Sequence, residues 1–449
     1  MTARRAIIQA ATTEYLRHDS RLIRTPVALS AYSAASAMTH SKSLQRRARG
    51  FDLLMRLHAA AISPSVDGKI LRRLREATAA EWKGKPTGLW ESYDAAIRRA
   101  TAPDAAFQAS KPGKYVGTRI LVVKAARAGE RGVLIVDYSN VFPILAGKFD
   151  LHAIAERYTI VLEPSWTGLS QPDVMLFTRL KQRVFVQTME PRDREFIEAL
   201  GANLTVVPIA ANWWVDPRTL PDPPPTRDID VIMVASWADW KRHWRFFRAL
   251  AALRKRGHTF KVALVGYNYG WTRQDIEAQA EHYGIRDQVE IFERISTEEV
   301  WKLLLRSKIH VLWSRREGSN RAIIEAMTAD VPVIVREGLS FGFKYPYINE
   351  KTGRFVRDGE LADAMLDMIT SRQRYAPREW IVQNMTCHTA TDVLERQLQA
   401  AARAANDPWS GGIVRKTSGL DGQHYVNPAD RELFADDYRF LESTILKNG

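Results

Sequence analysis

Cysteine is almost absent from this chain. Cys387 stands alone among 449 residues, which excludes an intrachain disulfide framework and any multi-cysteine metal site, and fits a reducing cytosol. No run of about 18 apolar residues occurs, and the first residues hold no long apolar signal core. A soluble, cytoplasmic protein, peripheral at most to a membrane, is therefore expected. The ten histidines are scattered, with no HExxH and no paired spacing, so no histidine metal site is assigned. His152 and His310 read as ordinary helix and strand positions. Neither a G-x-S-x-G elbow nor a P-loop is present, which argues against a serine hydrolase and a P-loop NTPase. Asp228-Ile229-Asp230 spaces two carboxylates as some metal sites do, but it lies where a linker enters a strand, with no second ligand cluster.

What is present is length and positive charge. A chain of 449 residues, 45% hydrophobic, can build two domains with sizeable cores. The net charge is +14, and residues 1–100 hold 18 Lys+Arg against 8 Asp+Glu, so +10 of it sits in that segment. A basic, helix-patterned segment suits an anionic membrane surface or an acidic partner. The acids interspersed among its arginines argue against a nucleic-acid arm.

Along the chain, residues 1–110 show apolar residues at helical spacing over Thr2–Leu16, Leu44–Ala61, Ser65–Trp82 and Trp90–Ala100, broken by Pro26, Pro64, Pro86 and Gly88. Residues 111–220 change to short β-branched runs, at 119–123, 133–136, 158–162, 183–186 and 204–207, each followed by a polar break. That pattern predicts a compact parallel-sheet domain. The proline-rich stretch Pro217–Arg227 predicts a semi-rigid linker. Residues 221–405 again alternate strands, at 231–234, 261–265, 289–292, 309–313, 333–335 and 354–356, with helices, as a doubly wound sheet requires. Residues 406–449 form a tail, Gly-rich at first and helical from Arg431 to Leu446. The fold class expected is α/β, with two Rossmann-like doubly wound domains facing a cleft and an added helical N-terminal region.

The most informative stretch is IHVLWSRREGSNRAIIEAMTADVPVIVR, Ile309–Arg336. It reads strand, loop, helix, strand, so its loop Ser314–Ser319 should lie in the crevice at the carboxyl ends of the strands, where ligands of such sheets bind. Gly318, Ser319 and Asn320 open the helix, and free N–H groups at a helix start suit a diphosphate. Two acids, Glu317 and Glu325, flank the same crevice. Carboxylates can hold vicinal hydroxyls, so a ligand carrying both phosphate and sugar fits, as a nucleoside diphosphate sugar does.

Glu317-Gly318, Glu325 after seven intervening residues, Ala326-Met327 and Pro332-Val333-Ile334 together resemble the signature of family-4 glycosyltransferases of the GT-B fold. The resemblance implies that Glu317 contacts the donor sugar and Glu325 the ribose. It also implies that Lys241, in the turn Ala235–Arg242, holds donor phosphate. Ser236 stands where that family carries an arginine, and Arg242 or Arg321 is expected to supply the cation instead. Gly266 matches the family's glycine at the cleft. The catalytic candidates are thus Glu317 and Lys241; the donor-binding set is Glu325, Gly318, Ser319, Asn320, Arg321, Ser236, Arg242 and Gly266. Asp137 and Glu163, after strand ends of the first domain, are the acceptor-side candidates. Trp237, Trp240, Trp244 and Trp271 fall around the first turns of the second domain, as core or as stacking surfaces.

The activity these imply is retaining, metal-independent transfer of a sugar from a nucleotide diphosphate sugar to a glycan, lipid-linked or other hydroxyl acceptor, with no cofactor. A competing reading is a sugar-nucleotide-binding GT-B protein without turnover, acting as partner or scaffold, which Ser236 and the unusual first domain motivate. A GT-B-fold epimerase is a third.

Overall fold

A computed structural model describes residues 3–15, 21–61, 63–102, 111–222, 224, 226–339, 343–419 and 421–446. Pro223 and Pro225 of the expected linker lie outside them. The chain divides into two compact α/β units. No helix among the described residues is long and apolar enough to cross a membrane.

The amino-terminal unit comprises Arg21–Trp214 and the segment from Cys387 onward. Its sheet contains β1 (Ile120–Lys124), β2 (Gly132–Asp137), β3 (Tyr158–Glu163), β4 (Val184–Gln187) and β5 (Leu204–Val207), in that order. Strands β2 to β5 run parallel, whereas β1 pairs antiparallel with β2. The all-parallel expectation fails at β1 because only seven residues separate it from β2, and a parallel partner needs a crossover of a dozen or more. Strand order here advances in one direction. β1, β2 and β4 are buried at every residue, which is why their runs are continuously apolar rather than alternating.

Helices Arg21–Thr39, Leu44–Ala59, Pro64–Trp82 and Leu89–Ala100 form the expected helical region. The first of them is not among the expected helices, none of which falls between Leu16 and Leu44. Its buried positions among the described residues are small, Ala28, Ala35 and Thr39, so it lacks the large apolar periodicity that marks a helix. What holds it is close approach: a Cβ on Gly50 would sit 2.8 Å from the Ala35 carbonyl, so the two backbones touch where a side chain would not fit.

The carboxy-terminal unit comprises Val215–Thr386, with the helix Ala3–Glu14 packed on it. Its strands are β6 (Ile229–Val234), β7 (Val262–Gly266), β8 (Val289–Glu293), β9 (Ser307–Leu312), β10 (Val333–Arg336) and β11 (Gly353–Val356). All pair in parallel, in the spatial order β11-β10-β9-β6-β7-β8. Numbered within the unit this is 3-2-1-4-5-6, the doubly wound order whose direction reverses between the first and fourth strands. The reversal falls between β6 and β9, and the crevice at their carboxyl ends is the place to look for a ligand.

The expected boundary at residue 405 moves to Cys387. Helix Cys387–Ala405 groups with the amino-terminal unit, where Leu394 and Leu398 join its core. After it, β12 (Lys416–Ser418) and β13 (Gln423–Tyr425) make a small antiparallel hairpin, and the helix Ala435–Ser443 buries Tyr438 and Leu441 in the same core.

Candidate functional site

The loops after β6 and β9 meet at the switch point. Arg315 N–H donates to the Trp240 carbonyl at 2.8 Å, tying one loop to the other. Across that tie, Lys241 Nζ donates to Glu317 Oε1 at 2.5 Å, with side chains 10% and 5% exposed. The two catalytic candidates, 76 residues apart in sequence, are therefore one buried ion pair.

Asn320 caps the helix Arg321–Thr328, its Oδ1 accepting from Ile323 N–H at 3.1 Å. Capping orders this helix start, where the earliest N–H groups have no partner within the helix. Arg321 donates to Glu325 Oε1 at 3.2–3.3 Å, one turn along the same helix, so Glu325 is held on the face where Arg321 lies. Gly318 and Ser319 lie in the loop before this cap, and Gly318 is buried.

Arg242 is differently employed. It is 1% exposed and clamps both oxygens of Asp358, at 2.8 and 2.6 Å, with Arg336 Nε 3.4 Å from the same carboxylate. Burial pushes the Asp358 carboxyl up, but Arg242, Arg336 and Arg245 outweigh it and hold it at about 2. The guanidinium fork expected to serve donor phosphate is thus engaged by Asp358. Gly266 has no room beside it: a Cβ there would meet the Ala235 carbonyl at 2.3 Å and Trp237 Nε1 at 2.4 Å. Ser236 is half-buried between these neighbours.

Two further groups of the crevice loop were passed over in the sequence. Ser314 Oγ is buried without a hydrogen-bond partner among the described residues. Arg315 and Arg316 stand directly before Glu317, and burial, then Arg315, lower the Arg316 pKa. A cation so disfavoured gains from an incoming anion. The signal was the dibasic pair itself, placed in a ligand loop. His243 is fully buried beside Lys241, and burial with that neighbouring charge lowers its pKa to about 3, so it stays neutral at physiological pH. Of the tryptophans, Trp237 and Trp244 are core, while Trp240 makes an edge contact with the exposed Tyr269 at 5.3 Å.

In the amino-terminal unit, Asp137 and Glu163 end β2 and β3 and pair in register. Arg119 donates to Asp137 Oδ2 at 2.7 Å. Lys416 donates to Glu163 Oε2 at 2.6 Å and to Ser418 Oγ at 3.0 Å, with its ammonium 4.2 Å from the centre of the Trp214 ring. Trp214 Nε1 in turn donates to Gln187 Oε1 at 3.0 Å. Asp137 Oδ1 and Gln187 Nε2, an acceptor and a donor, are buried and unpartnered among the described residues. The acceptor-side candidates thus belong to a polar cluster at the carboxyl ends of three strands, and Lys416, Arg119 and Gln187 were not foreseen as members.

Burial and the neighbouring Glu163 push the Asp137 carboxyl up to about 7, against Arg119 and Lys416. Its unfolded value is about 3.9, so between about pH 4 and 7 the native protein keeps a proton that the unfolded chain releases. The native state binds more protons, so this contribution makes stability fall as pH rises through that window. We expect Asp137→Asn to remove about 2–4 kcal/mol of the stability difference between pH 5 and pH 8, measured by urea unfolding at both. An unchanged difference would show that Asp137 ionises normally.

Residues 221–382 match the sequence model of the glycosyl transferases group 1 family. No curated protein matches the chain. Among solved structures it is similar to TarM of S. aureus, at 17% identity over 60% of this chain and 54% of that one, with a TM-score of 0.46. It is also similar to sucrose-phosphate synthase from Thermosynechococcus elongatus, at 16% identity over 61% and 73% of the chains and a TM-score of 0.44. WaaG, a glycosyltransferase involved in lipopolysaccharide biosynthesis, gives 16% identity, 47% and 62% coverage, and a TM-score of 0.37. The chain spans 54% of the length of TarM. The chain itself holds two α/β units: the carboxy-terminal one has the doubly wound strand order, whereas the expected doubly wound order is not found in the amino-terminal one, whose sheet advances in one direction.

Proposed function

We propose that this protein is a metal-independent glycosyltransferase that moves a sugar from a nucleoside diphosphate sugar to a hydroxyl acceptor with retention of configuration. The observation that carries this is the buried Lys241–Glu317 pair at the switch point of the carboxy-terminal sheet, 2.5 Å apart, within the span that matches the family model. A donor diphosphate would take its hydrogen bonds from the start of the helix Arg321–Thr328 and its charge from Lys241, Arg316 and Arg321. Glu325 would hold the ribose hydroxyls, and Glu317 would accept from the donor sugar. As the bond from the anomeric carbon to the diphosphate oxygen breaks, the electron pair leaves with the diphosphate. The cations stabilise that developing charge, so no protein nucleophile is required. The acceptor oxygen bonds to the anomeric carbon and its proton passes to the departing diphosphate. The acceptor, a glycan or lipid-linked alcohol, would use the Asp137–Glu163 cluster.

A panel of nucleotide sugars tests this by calorimetry and by release of nucleoside diphosphate. One donor should bind and turn over, EDTA should leave its turnover unchanged, and Glu325→Ala should weaken its binding by about tenfold, the loss of hydrogen bonds to a charged acceptor. Binding without release, with acceptors supplied, would favour the scaffold reading, which the engagement of Arg242 by Asp358 supports because it leaves the position of Ser236 without that substitute cation. No donor binding would refute both.

A further inference from the structure

The amino-terminal unit has a second polar feature at the opposite, amino-terminal edge of its sheet. Thr159, Arg183, Phe185 and Thr205 lie at alternate positions of β3, β4 and β5 or just before them and so face one side. Helix Cys387–Ala405 covers that side with Leu398, Ala401, Ala402 and Ala405, one helical stripe at spacings of three and four. Large apolar side chains usually fill such a helix-on-sheet layer. Here alanines meet threonines, and a cavity of 570 Å³ remains. Its volume is that of a small-molecule site.

The walls are not uniformly apolar. Arg131, Lys181 and Arg183 line the cavity, against a single acid, Asp407. Asp407 pairs with Arg131 at 2.6 Å, while Lys181 and Arg183 are exposed and have no ion pair among the described residues. Asn203 and Trp409 belong to the lining, and Asn203 Oδ1, an acceptor, and Trp409 Nε1, a donor, are buried without partners among the described residues. The segment bearing Trp409 is fixed: Glu130 accepts from Ser410 N–H at 2.6 Å and Ser410 Oγ–H at 2.5 Å. The same carboxylate takes Lys124 Nζ at 2.5 Å, and that ammonium lies 5.1 Å from the Trp409 ring.

We infer that this cavity binds an anion carrying a flat, hydrogen-bonding ring, of mononucleotide size, with the ring against Phe185 and the alanine stripe and the anionic group at Lys181 and Arg183. The ring supplies the apolar face and the edge groups that Asn203 and Trp409 lack, and a phosphate supplies the charge. The inference does not rest on the proposed transfer reaction, whose donor residues are in the other unit.

The test is calorimetric titration of the full chain with the four common ribonucleoside monophosphates, ribose 5-phosphate, the free nucleosides and octyl phosphate. At least one monophosphate should bind, with its nucleoside and ribose 5-phosphate each weaker by about tenfold or more. The double change Lys181→Glu with Arg183→Glu should weaken it by about tenfold or more, and Ala402→Phe should abolish binding by filling the space. Glu325→Ala should leave it intact. The charge-reversed positions are exposed, so they report even where Ala402→Phe does not fold. Binding that survives the charge reversal, that disappears in Glu325→Ala, or that occurs with none of the monophosphates would overturn the assignment. Tighter binding of octyl phosphate than of any monophosphate would replace the ring with a lipid chain and overturn it equally.

Discussion

We expect Lys241→Ala to lower release of nucleoside diphosphate from the donor by about 10²–10³-fold, the usual loss on removing one group aimed at developing charge. The same change should destabilise the carboxy-terminal unit. It takes away the ammonium at 2.5 Å from a carboxylate that is 5% exposed, and removing one partner of a buried pair costs about 3–5 kcal/mol. A fall in activity alone would therefore be ambiguous. The double variant Lys241→Ala with Glu317→Ala separates the two causes. Removing both charges should restore most of the stability, because the pair's own desolvation cost disappears with it. It should restore none of the turnover, because the diphosphate still meets no ammonium. Urea unfolding and donor turnover of the single and double variants decide the matter. Recovery of turnover together with stability would mean that the pair only holds the two loops in place.

How far the sequence discloses this site follows from where its parts lie in the chain. Strand, loop, helix and strand from Ile309 to Arg336 are contiguous, so Glu317 and Glu325 are placed by local pattern alone. The inner strands β10, β9, β6 and β7 are equally legible, because strands covered on both faces give near-continuous apolar runs, whereas the edge strand β8 alternates about the exposed Glu290. Lys241 needed the resemblance, since nothing local marks a lysine in a turn as the partner of an acid 76 residues on. The same reasoning misjudged Arg242, whose position beside Lys241 suggested phosphate. Its neighbour is Asp358, 116 residues later, and that long-range pair has no local signature. The helix Arg21–Thr39 was hidden for another reason. Its buried positions among the described residues are Ala28, Ala35 and Thr39, and a stripe of small side chains gives no period in apolar size.

Lys416 was the least legible residue, and its replacement should have the largest effect on stability. It sits in a Gly-rich tail read as polar, and reaches Glu163 across 253 residues of sequence. Its side chain is fully buried and that of Glu163 is 2% exposed. Lys416→Met should cost about 3–5 kcal/mol, since the buried Glu163 carboxylate loses its ammonium. Loss of the contact with the Trp214 face should add to this, by up to about 2 kcal/mol for a desolvated cation over indole. Adding Glu163→Gln should recover part of the loss by removing the buried charge. Chemical unfolding of wild type, Lys416→Met and the double variant measures both steps, and a single-variant cost below about 1 kcal/mol would show that solvent already screens this pair. The double variant then tests the cluster's purpose. In this partly restabilised variant, acceptor-dependent turnover that stays at the wild-type level would make Lys416 and Glu163 a fastening between the tail and the sheet. Turnover that falls while donor hydrolysis persists would place the acceptor among Asp137, Glu163 and Gln187, at the carboxyl ends of the strands.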